Sequence, residues 1–590
     1  MQQLARQGFT HVSINGLGVH EPFESGPPGD VYSWFYDYSP DLDQFVPSAL
    51  LKDYYPQDYL DANLGFLKKN AALARKYGLV PGLHINSPRS MPETFWEKYA
   101  FLRGARIDHP RESFRPRYTL AMAHPVTQQH YRALVRNIMA EVPEIGFMHL
   151  WTNDSGAGFE FVSSLYAGRN GGPYLIREWK NDQEIARAAG KNVLTYYHLL
   201  RDEARKVNQD FRLVCDLGPF AAERPTIIEG LGNGIDAGRF GYFEFPDKEE
   251  EQQQLEAVGA LRHATLDLTT GNVIGAPFPR LVYERLQQAY SQGIRHILAH
   301  VAPNSLAPYD INGEVLSAVQ RRADSSLEFI LHDCAQHWVG EPHAEALIRL
   351  WETSDAAMRS FPKGVPYATF AFPWFRLWVR PFVPNIDAIP ESDRAYYERF
   401  LVATFNNPNR IDLNNDMMWN FLTVAEAEEK RDILDTKTLC LLSEAIGASA
   451  TLVGKFSPDS REHAVFQDQH DRLVAFRCFS ATLRNTVAWI ASVHGYGQAS
   501  EPAVKKTYRA KVQEMIDHEL ENTKTLFTLW RSSKTDFMAV STIGETAHCY
   551  GGNFGELLQK KIALMERHRN DDPFIDAKYM WRMPEDTGVH

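Results

Sequence analysis

Between residue 11 and about residue 320 the chain alternates between short β-branched or aromatic runs and longer stretches whose apolar residues recur at i, i+3 and i+4. That is the pattern of repeated βα units around a parallel sheet. Strand-like runs fall at His11 to Leu17 (HVSINGL), Val80 to Ile85, Tyr118 to Ala123, Gly146 to Thr152, Phe211 to Leu217, Arg239 to Phe245, Ala264 to Thr269 and Ile294 to His300. Helical period fills the intervals, for example at Asp58 to Tyr77, Thr127 to Glu141, Asp182 to Val207 and Leu281 to Gln292. Eight such runs in roughly 300 residues fit a (β/α)8 barrel. The expected fold is therefore α/β: a TIM barrel over residues 1–320, followed by a mostly α-helical C-terminal domain over 321–590.

Past Ser325 the strand signals fade, and helical patterns rich in Trp, Leu and Ala continue to about residue 568. Pro-rich pieces between Phe361 and Pro390, the polar stretch Asn406 to Asp416, and an expected exposed loop at Lys455 to Gln469 interrupt them. Composition narrows the function. With 44% hydrophobic and 23% charged residues the chain is neither disordered nor fibrous. A formal charge of -12 gives no field that would gather nucleic acid or an anionic membrane. The five cysteines are scattered and form no C-x-x-C, so neither a disulfide framework nor a zinc ribbon is expected. No run approaches ~18 apolar residues, so no transmembrane helix is expected. The opening MQQLARQGFT lacks the apolar core of a signal peptide, yet strand-like sequence follows at once, as expected of a chain that starts inside a longer precursor. The compartment stays open between cytoplasm and periplasm or exterior.

A barrel of this kind places its active site at the C-terminal strand ends. Those positions carry Asn15, His84 with Asn86, His124, Asn153 with Asp154, Asp216, Glu244, Thr270 with Asn272, and His300 with Asn304. Nearly every strand thus ends in a polar or ionisable residue, as a pocket built from βα loops requires. The most suggestive string is Gly146-Phe-Met-His-Leu-Trp-Thr-Asn-Asp-Ser-Gly-Ala-Gly-Phe-Glu160. An apolar strand there ends in Asn153-Asp154, next to Trp151 as a ring platform, and runs into small residues that admit a ligand near the backbone. The competing reading is an Asp-Ser-Gly turn capping the next helix.

Glycosidic cleavage usually needs an acid on the leaving oxygen and a second carboxylate to activate water or attack the anomeric carbon. Glu244, Asp216, Glu160 and Asp267 are the candidates for the second. Glu244 ends an aromatic run that could raise its pKa, while Glu160 is placed to orient Asp154 and bind substrate. Arg89 and the arginines between Arg103 and Arg117 could read a uronic or sialic carboxylate, although a solvated or salt-bridged face is the favoured reading of that cluster. The histidines show no H-x-H or H-E-x-x-H spacing, so no metal ligands are assigned. His332 to His337 is expected on a helix, Asn170-Gly-Gly-Pro173 in a loop, and Phe370 to Trp378 in a core.

An eight-unit barrel with Leu150-Trp-Thr-Asn-Asp-Ser-Gly156 at the end of its fourth strand, followed by a helical region, resembles bacterial glycoside hydrolases related to the β-N-acetylhexosaminidase and α-glucuronidase groups. In the former group the strand-four motif is an acidic pair whose second member is the general acid. The resemblance implies that role for Asp154, with Asn153 standing where the first carboxylate would be. In the latter group carboxylates of later strands complete an inverting site, which points to Glu244 or Asp267. The expectation is an exo-acting glycosidase of the O-glycosyl hydrolase class, acting on a terminal, acidic or N-acetylated sugar. Asp154, Glu244 and Asp216 are its candidate catalytic residues. Asn15, His84, Arg89, Trp151, Asn153, Glu160, Asn272 and His300 are its candidate substrate contacts. No cofactor, metal, nucleic acid or membrane is expected, a carbohydrate is the expected partner, and the oligomeric state is open, a homodimer included. The alternatives are a carbohydrate-binding barrel without catalysis and a metal-dependent lyase or isomerase on the same scaffold.

Overall fold

The structure, a computed structural model, describes residues 1–19, 40–52, 54–91, 93–107, 117–152, 157–162, 181–241, 249–267, 274–300, 308–362, 377–398, 423–538 and 553–575. The chain divides into two compact units. One comprises Met1–Leu266 with Ala289–Leu298, the other Asp267–Gln288 with Ala299–Met583. The division is interleaved, whereas the sequence pattern suggests a single boundary at residue 320.

Ten strands are described: β1 (His11–Ser13), β2 (Val80–Asn86), β3 (Ser90–Met91), β4 (Arg103–Ile107), β5 (Arg117–Leu120), β6 (Phe147–Trp151), β7 (Arg212–Asp216), β8 (Ile235–Gly241), β9 (Arg262–Asp267) and β10 (His296–His300). Seven form one sheet in the order β1-β2-β6-β7-β8-β9-β10. Its pairings from β1 to β9 are all parallel, among them His84↔His149, Asn86↔Trp151, Cys215↔Ala237 and Gly238↔His263. The strands are separated by helices such as Gln57–Lys76, Pro125–Glu141 and Asp182–Arg205, as parallel connections demand. The sheet is curled. His11 at the start of β1 and His296 on β10 both feel the charge of His263 on β9, although β1 and β9 are far apart in the strand order.

The run Tyr118 to Ala123, expected as the third strand of the barrel, belongs instead to a separate antiparallel sheet of order β3-β5-β4. The main sheet passes directly from β2 to β6. Period-two patterning marks a half-buried strand but is blind to which sheet it joins. Two features hold this insertion together. Gly104 lies so close to the Leu120 and Ala121 backbone that a Cβ would sit 2.7 Å away, and the Arg103 guanidinium stacks over Trp96 and Tyr118 at 5.4 and 4.6 Å. Arg103 therefore works inside the insertion. The remaining arginines of that cluster have side chains outside the described residues.

Alternation along the strands separates two faces. Leu83 and Ile85 of β2, Met148 and Leu150 of β6, and Leu213 and Cys215 of β7 join the apolar core with Leu67, Leu134, Ile138, Val193 and Leu200 from the helices. Each such side chain contributes roughly 1.5–3 kcal/mol by leaving water. The intervening residues line the opposite face, where the Phe147 ring occupies the space that a side chain at Gly82 would need. Helix ends follow local chemistry. The Asn181 side chain accepts from Glu184 N–H ahead of Asp182–Arg205, and His124 Nδ1 accepts from Val126 N–H ahead of Pro125–Glu141, with Pro at the first helical position.

The second unit is helical, as its sequence suggests. Its longest helices, Arg461–Gln498 and Pro502–Ser532, are joined by only three residues, which makes them antiparallel neighbours. Helix Arg461–Gln498 overruns most of the loop expected at Lys455 to Gln469; Ser460 caps it by accepting from His463 N–H. Every residue from Cys478 to Gly495 is buried, so the segment shows no one-sided stripe. His332 and His337 lie on helix Leu327–Val339, and Trp378 packs on Phe479 and Phe554 as expected of a core residue.

Inside this unit Lys561 and Glu519 form a fully buried ion pair. Lys561 Nζ also donates to the Trp378 carbonyl at 3.0 Å, and Glu519 accepts from Thr482 Oγ1 at 2.9 Å and from Asn485 Nδ2 at 2.6 Å. Burial pushes the lysine pKa down, while Glu519 opposes that fall. Removing one partner strands the other charge in an apolar interior. The variant Lys561→Met should therefore lose roughly 3–5 kcal/mol of stability by denaturant unfolding, and a loss below ~1 kcal/mol would show that the pair does not hold the helices together.

Candidate active site

Parallel register brings His84 of β2 beside His149 of β6, and Asn86 beside Trp151. The His84 and His149 rings lie 4.7 Å apart, their Nδ1 atoms 2.8 Å apart, and both rings lie 6.4 Å from Trp151. A hydrogen bond between two ring nitrogens needs one lone pair, so both imidazoles cannot carry two protons at once. His149 is buried while His84 and Trp151 are half-exposed. The imidazole and indole thus reach solvent together at the strand ends, supported from below by a second histidine. In the sequence His149 is visible as the residue two before Trp151 on the same strand face. Without the β2–β6 register nothing ties it to His84.

Asp216 ends β7, next to Trp151 by the register Leu150↔Cys215. It is buried and accepts from Gly218 N–H at 2.9 Å. Asn15 bridges its own strand to the next. Its Nδ2 donates to His84 O at 2.6 Å and its Oδ1 accepts from His84 N–H at 2.8 Å, so it extends the β1–β2 pairing by one rung. Asn153, Asp154, Glu244 and Asn272 lie outside the described residues, as do the side chains of Asp267 and His300. Strand β8 begins at Ile235, four residues earlier than the aromatic run suggests, and is described as far as Gly241. Gly232 and Gly234, both at positive φ, make the turn that starts it there.

The ends of the Asp154 segment are well defined. On one side Thr152 is buried with its hydroxyl 3.4 Å from the Tyr197 hydroxyl. On the other, Ala157 pairs with Arg89 in an antiparallel bridge, Gly158 N–H donates to Pro88 O at 3.0 Å, and Thr119 Oγ1 donates to Gly158 O at 2.9 Å. Phe159 packs between Tyr196, Tyr197 and Phe220. Glu160 is buried, its Oε1 accepting from Ala123 N–H at 3.4 Å, and burial raises its pKa against the pull of nearby backbone N–H groups.

Arg89 lies 3% exposed in a buried polar knot. Its Nη1 donates to Gln44 Oε1 at 2.7 Å and its Nη2 lies 3.4 Å from Asp43 Oδ1. Gln44 Oε1 also accepts from Asp41 N–H, and its Nε2 donates to the Tyr59 hydroxyl. Tyr55 O–H donates to Asp43, while Ser87 O–H donates to Asp41 and bonds the Tyr196 hydroxyl. Two carboxyl groups here share one guanidinium. Burial first, and Asp43 second, push the Asp41 pKa up to about 7, against Arg89, the Leu42 N–H and the Ser87 hydroxyl. Burial likewise raises Asp43, with Arg89 opposing. Asp41, Asp43 and Gln44 are missed by sequence reasoning because the long loop that carries them has no periodicity to place it. Among the described residues no group of three His, Cys, Asp or Glu is arranged to hold a metal ion, and no helix is long and apolar enough to cross a membrane.

No family model and no curated protein sequence matches the chain. Solved structures do. The chain is similar to a GH138 enzyme targeting pectin rhamnogalacturonan II, with a TM-score of 0.53 and 11% identity over 94% of this chain and 66% of that one. It also matches a family 89 glycoside hydrolase from Clostridium perfringens in complex with PUGNAc (TM-score 0.40, 11% identity, 90% and 58% coverage). A third match is a family GH115 4-O-methyl-α-glucuronidase with specificity for decorated arabinogalactans (TM-score 0.39, 14% identity, 77% and 50% coverage). The chain spans just under two thirds of the GH138 structure's length, and at this identity the likeness to it is one of fold.

The knot makes a stability prediction with a definite sign. The unfolded Asp41 ionises near 3.8 and the folded one near 7, so the fold binds the extra proton and loses stability as pH rises between those values. Unfolding midpoints of Asp41→Asn should fall less than those of the parent between pH 4 and pH 8, and parallel pH profiles would show that Asp41 ionises normally. Arg89→Met, which leaves Asp43 uncompensated, should cost roughly 3–5 kcal/mol in the same measurement.

Proposed function

We propose that the chain is an exo-acting glycoside hydrolase whose seven-stranded sheet is the larger part of a (β/α)8-type barrel. One observation carries this reading: a half-exposed indole and imidazole, Trp151 and His84, share the C-terminal strand ends with the carboxylate of Asp216, on a fold similar to that of a GH138 enzyme. Sugar rings offer an apolar face for an indole and hydroxyls for an imidazole and carboxylates. The substrate class proposed is a terminal sugar, acidic or N-acetylated.

In this reading Asp154 protonates the leaving oxygen, and Asp216 or Glu244 activates water or attacks the anomeric carbon. Trp151 carries the ring face. His84, steadied by His149, binds a hydroxyl, with Asn153, Asn272 and His300 as further polar contacts. Arg89 and Asn15 serve the site from behind. Arg89 ties the loop after β2 to the segment following Asp154, and Asn15 aligns the strand that bears His84. A carbohydrate is the partner, and the oligomeric state is left to measurement.

The test is a screen of aryl glycosides including glucuronides, sialosides and N-acetylhexosaminides, followed by variants on the substrate found. Asp154→Asn should lower kcat by ~10²–10⁴-fold on a natural glycoside while the fold persists by circular dichroism, and near-normal turnover would sink the assignment. Trp151→Ala should act mainly on KM. Sugar binding without release of reducing ends would favour a carbohydrate-binding barrel, and loss of turnover with a chelator would favour a metal-dependent enzyme.

A further inference from the structure

Glu160 is 7% exposed, and the environment of its two carboxyl oxygens is unequal. Oε1 accepts from Ala123 N–H, whereas Oε2 is buried with no partner among the described residues. No charged side chain among the described residues acts on its ionisation; only burial and the backbone N–H groups of Met122, Ala123 and Glu160 itself do. A bare anion with one oxygen lacking a donor in such a place would cost several kcal/mol, whereas a carboxylic acid carries no charge and leaves only a neutral hydroxyl there. The next residue, Phe161, is the one non-glycine among the described residues held at positive φ, 65°. A bulky aromatic in the left-handed region stores of order 1–3 kcal/mol of strain, and such strain persists where surrounding contacts over-determine the backbone.

These two observations meet on the turn that follows the Asp154 segment in the chain. We propose that Glu160 is a positioning residue of the site: a carboxylic acid kept neutral, accepting from the Met122–Ala123 turn through Oε1 and carrying its proton on Oε2, which locks the Ala157–Val162 turn and so the approach to Asp154. The proposal deepens the glycosidase reading and rests on it for the catalytic arm alone. It takes Glu160 out of the choice of second carboxylate and leaves that role to Asp216 and Glu244. It also accounts for the strained backbone, because the Glu160 bond and the Phe159 packing hold the chain immediately ahead of Phe161.

Two variants test it. Glu160→Gln preserves shape and neutrality and should keep kcat within roughly threefold of the parent with the same pH profile, whereas Glu160→Ala frees the turn and should cost ~10–100-fold in kcat with a smaller change in KM. If Glu160→Gln loses as much turnover as Asp154→Asn, Glu160 works as an ionised catalytic group and the proposal falls. A second arm needs no substrate. The folded state keeps a proton that the unfolded chain sheds near 4.5, so the parent loses stability relative to Glu160→Gln as pH rises above that value. A difference in unfolding midpoint that stays constant from pH 4 to pH 8 overturns the neutral acid even if no glycoside is ever cleaved. Failure of Asp154→Asn to impair turnover would sink the glycosidase reading and leave this arm standing.

Discussion

The buried guanidinium of Arg89 is the constraint on which the candidate site depends. A charge 3% exposed is tolerable only if its donors are matched, and the chain matches them with Gln44 and Asp43 from the loop after β1. The backbone of Arg89 meanwhile pairs with Ala157 in the loop after β6. One residue thus ties together three connections that would otherwise be independent, and it does so beside Ala157, which follows the Asp154 segment in the chain. A substrate carboxylate reader would need those donors free, so the geometry favours a positioning role for this arginine.

Satisfying that one charge creates the next tension. Asp41 and Asp43 sit close enough to repel, and with one guanidinium between them the Asp41 carboxyl is pushed up to about 7. The hydroxyls of Ser87, Tyr55 and Tyr196 and the Leu42 N–H absorb part of the cost. Glu160 stands apart from this network and has only backbone donors, which raise no such conflict. The site region therefore contains acidic groups in two kinds of surroundings. Asp41, Asp43 and Glu160 are buried with raised pKa values, and Asp216, also buried, ends a strand beside the half-exposed indole.

Much of the architecture is legible in the sequence because period-two and period-3.6 patterns report directly on burial. Seven of the eight strand-like runs are in the parallel sheet, and the helices between them begin and end within a few residues of their expected limits. The run at Tyr118 fails for a physical reason: alternation encodes one wet and one dry face, and an antiparallel insertion has those as well. The expected loop at Lys455 fails because its polar residues lead directly into a helix buried on every side, where no stripe advertises the period. Within the site, His84 and Trp151 are legible as strand-end residues. His149, Asp41, Asp43 and Gln44 are not, since their side-chain partners lie up to 46 residues away in the chain or are set by inter-strand register.

By itself the sequence determined the α/β class and the helical character of the second region, because each depends on the spacing of residue types along the chain. Only the tertiary structure decided which strands pair, which drew His149 under His84, and which arginine is spent inside the protein. It also decided that Asn15 stitches a strand and that Glu160 keeps an oxygen without a partner among the described residues. The reason is common to all of these. Hydrogen bonds and desolvation act over a few ångströms in space, and only a folded chain brings distant residues within that reach.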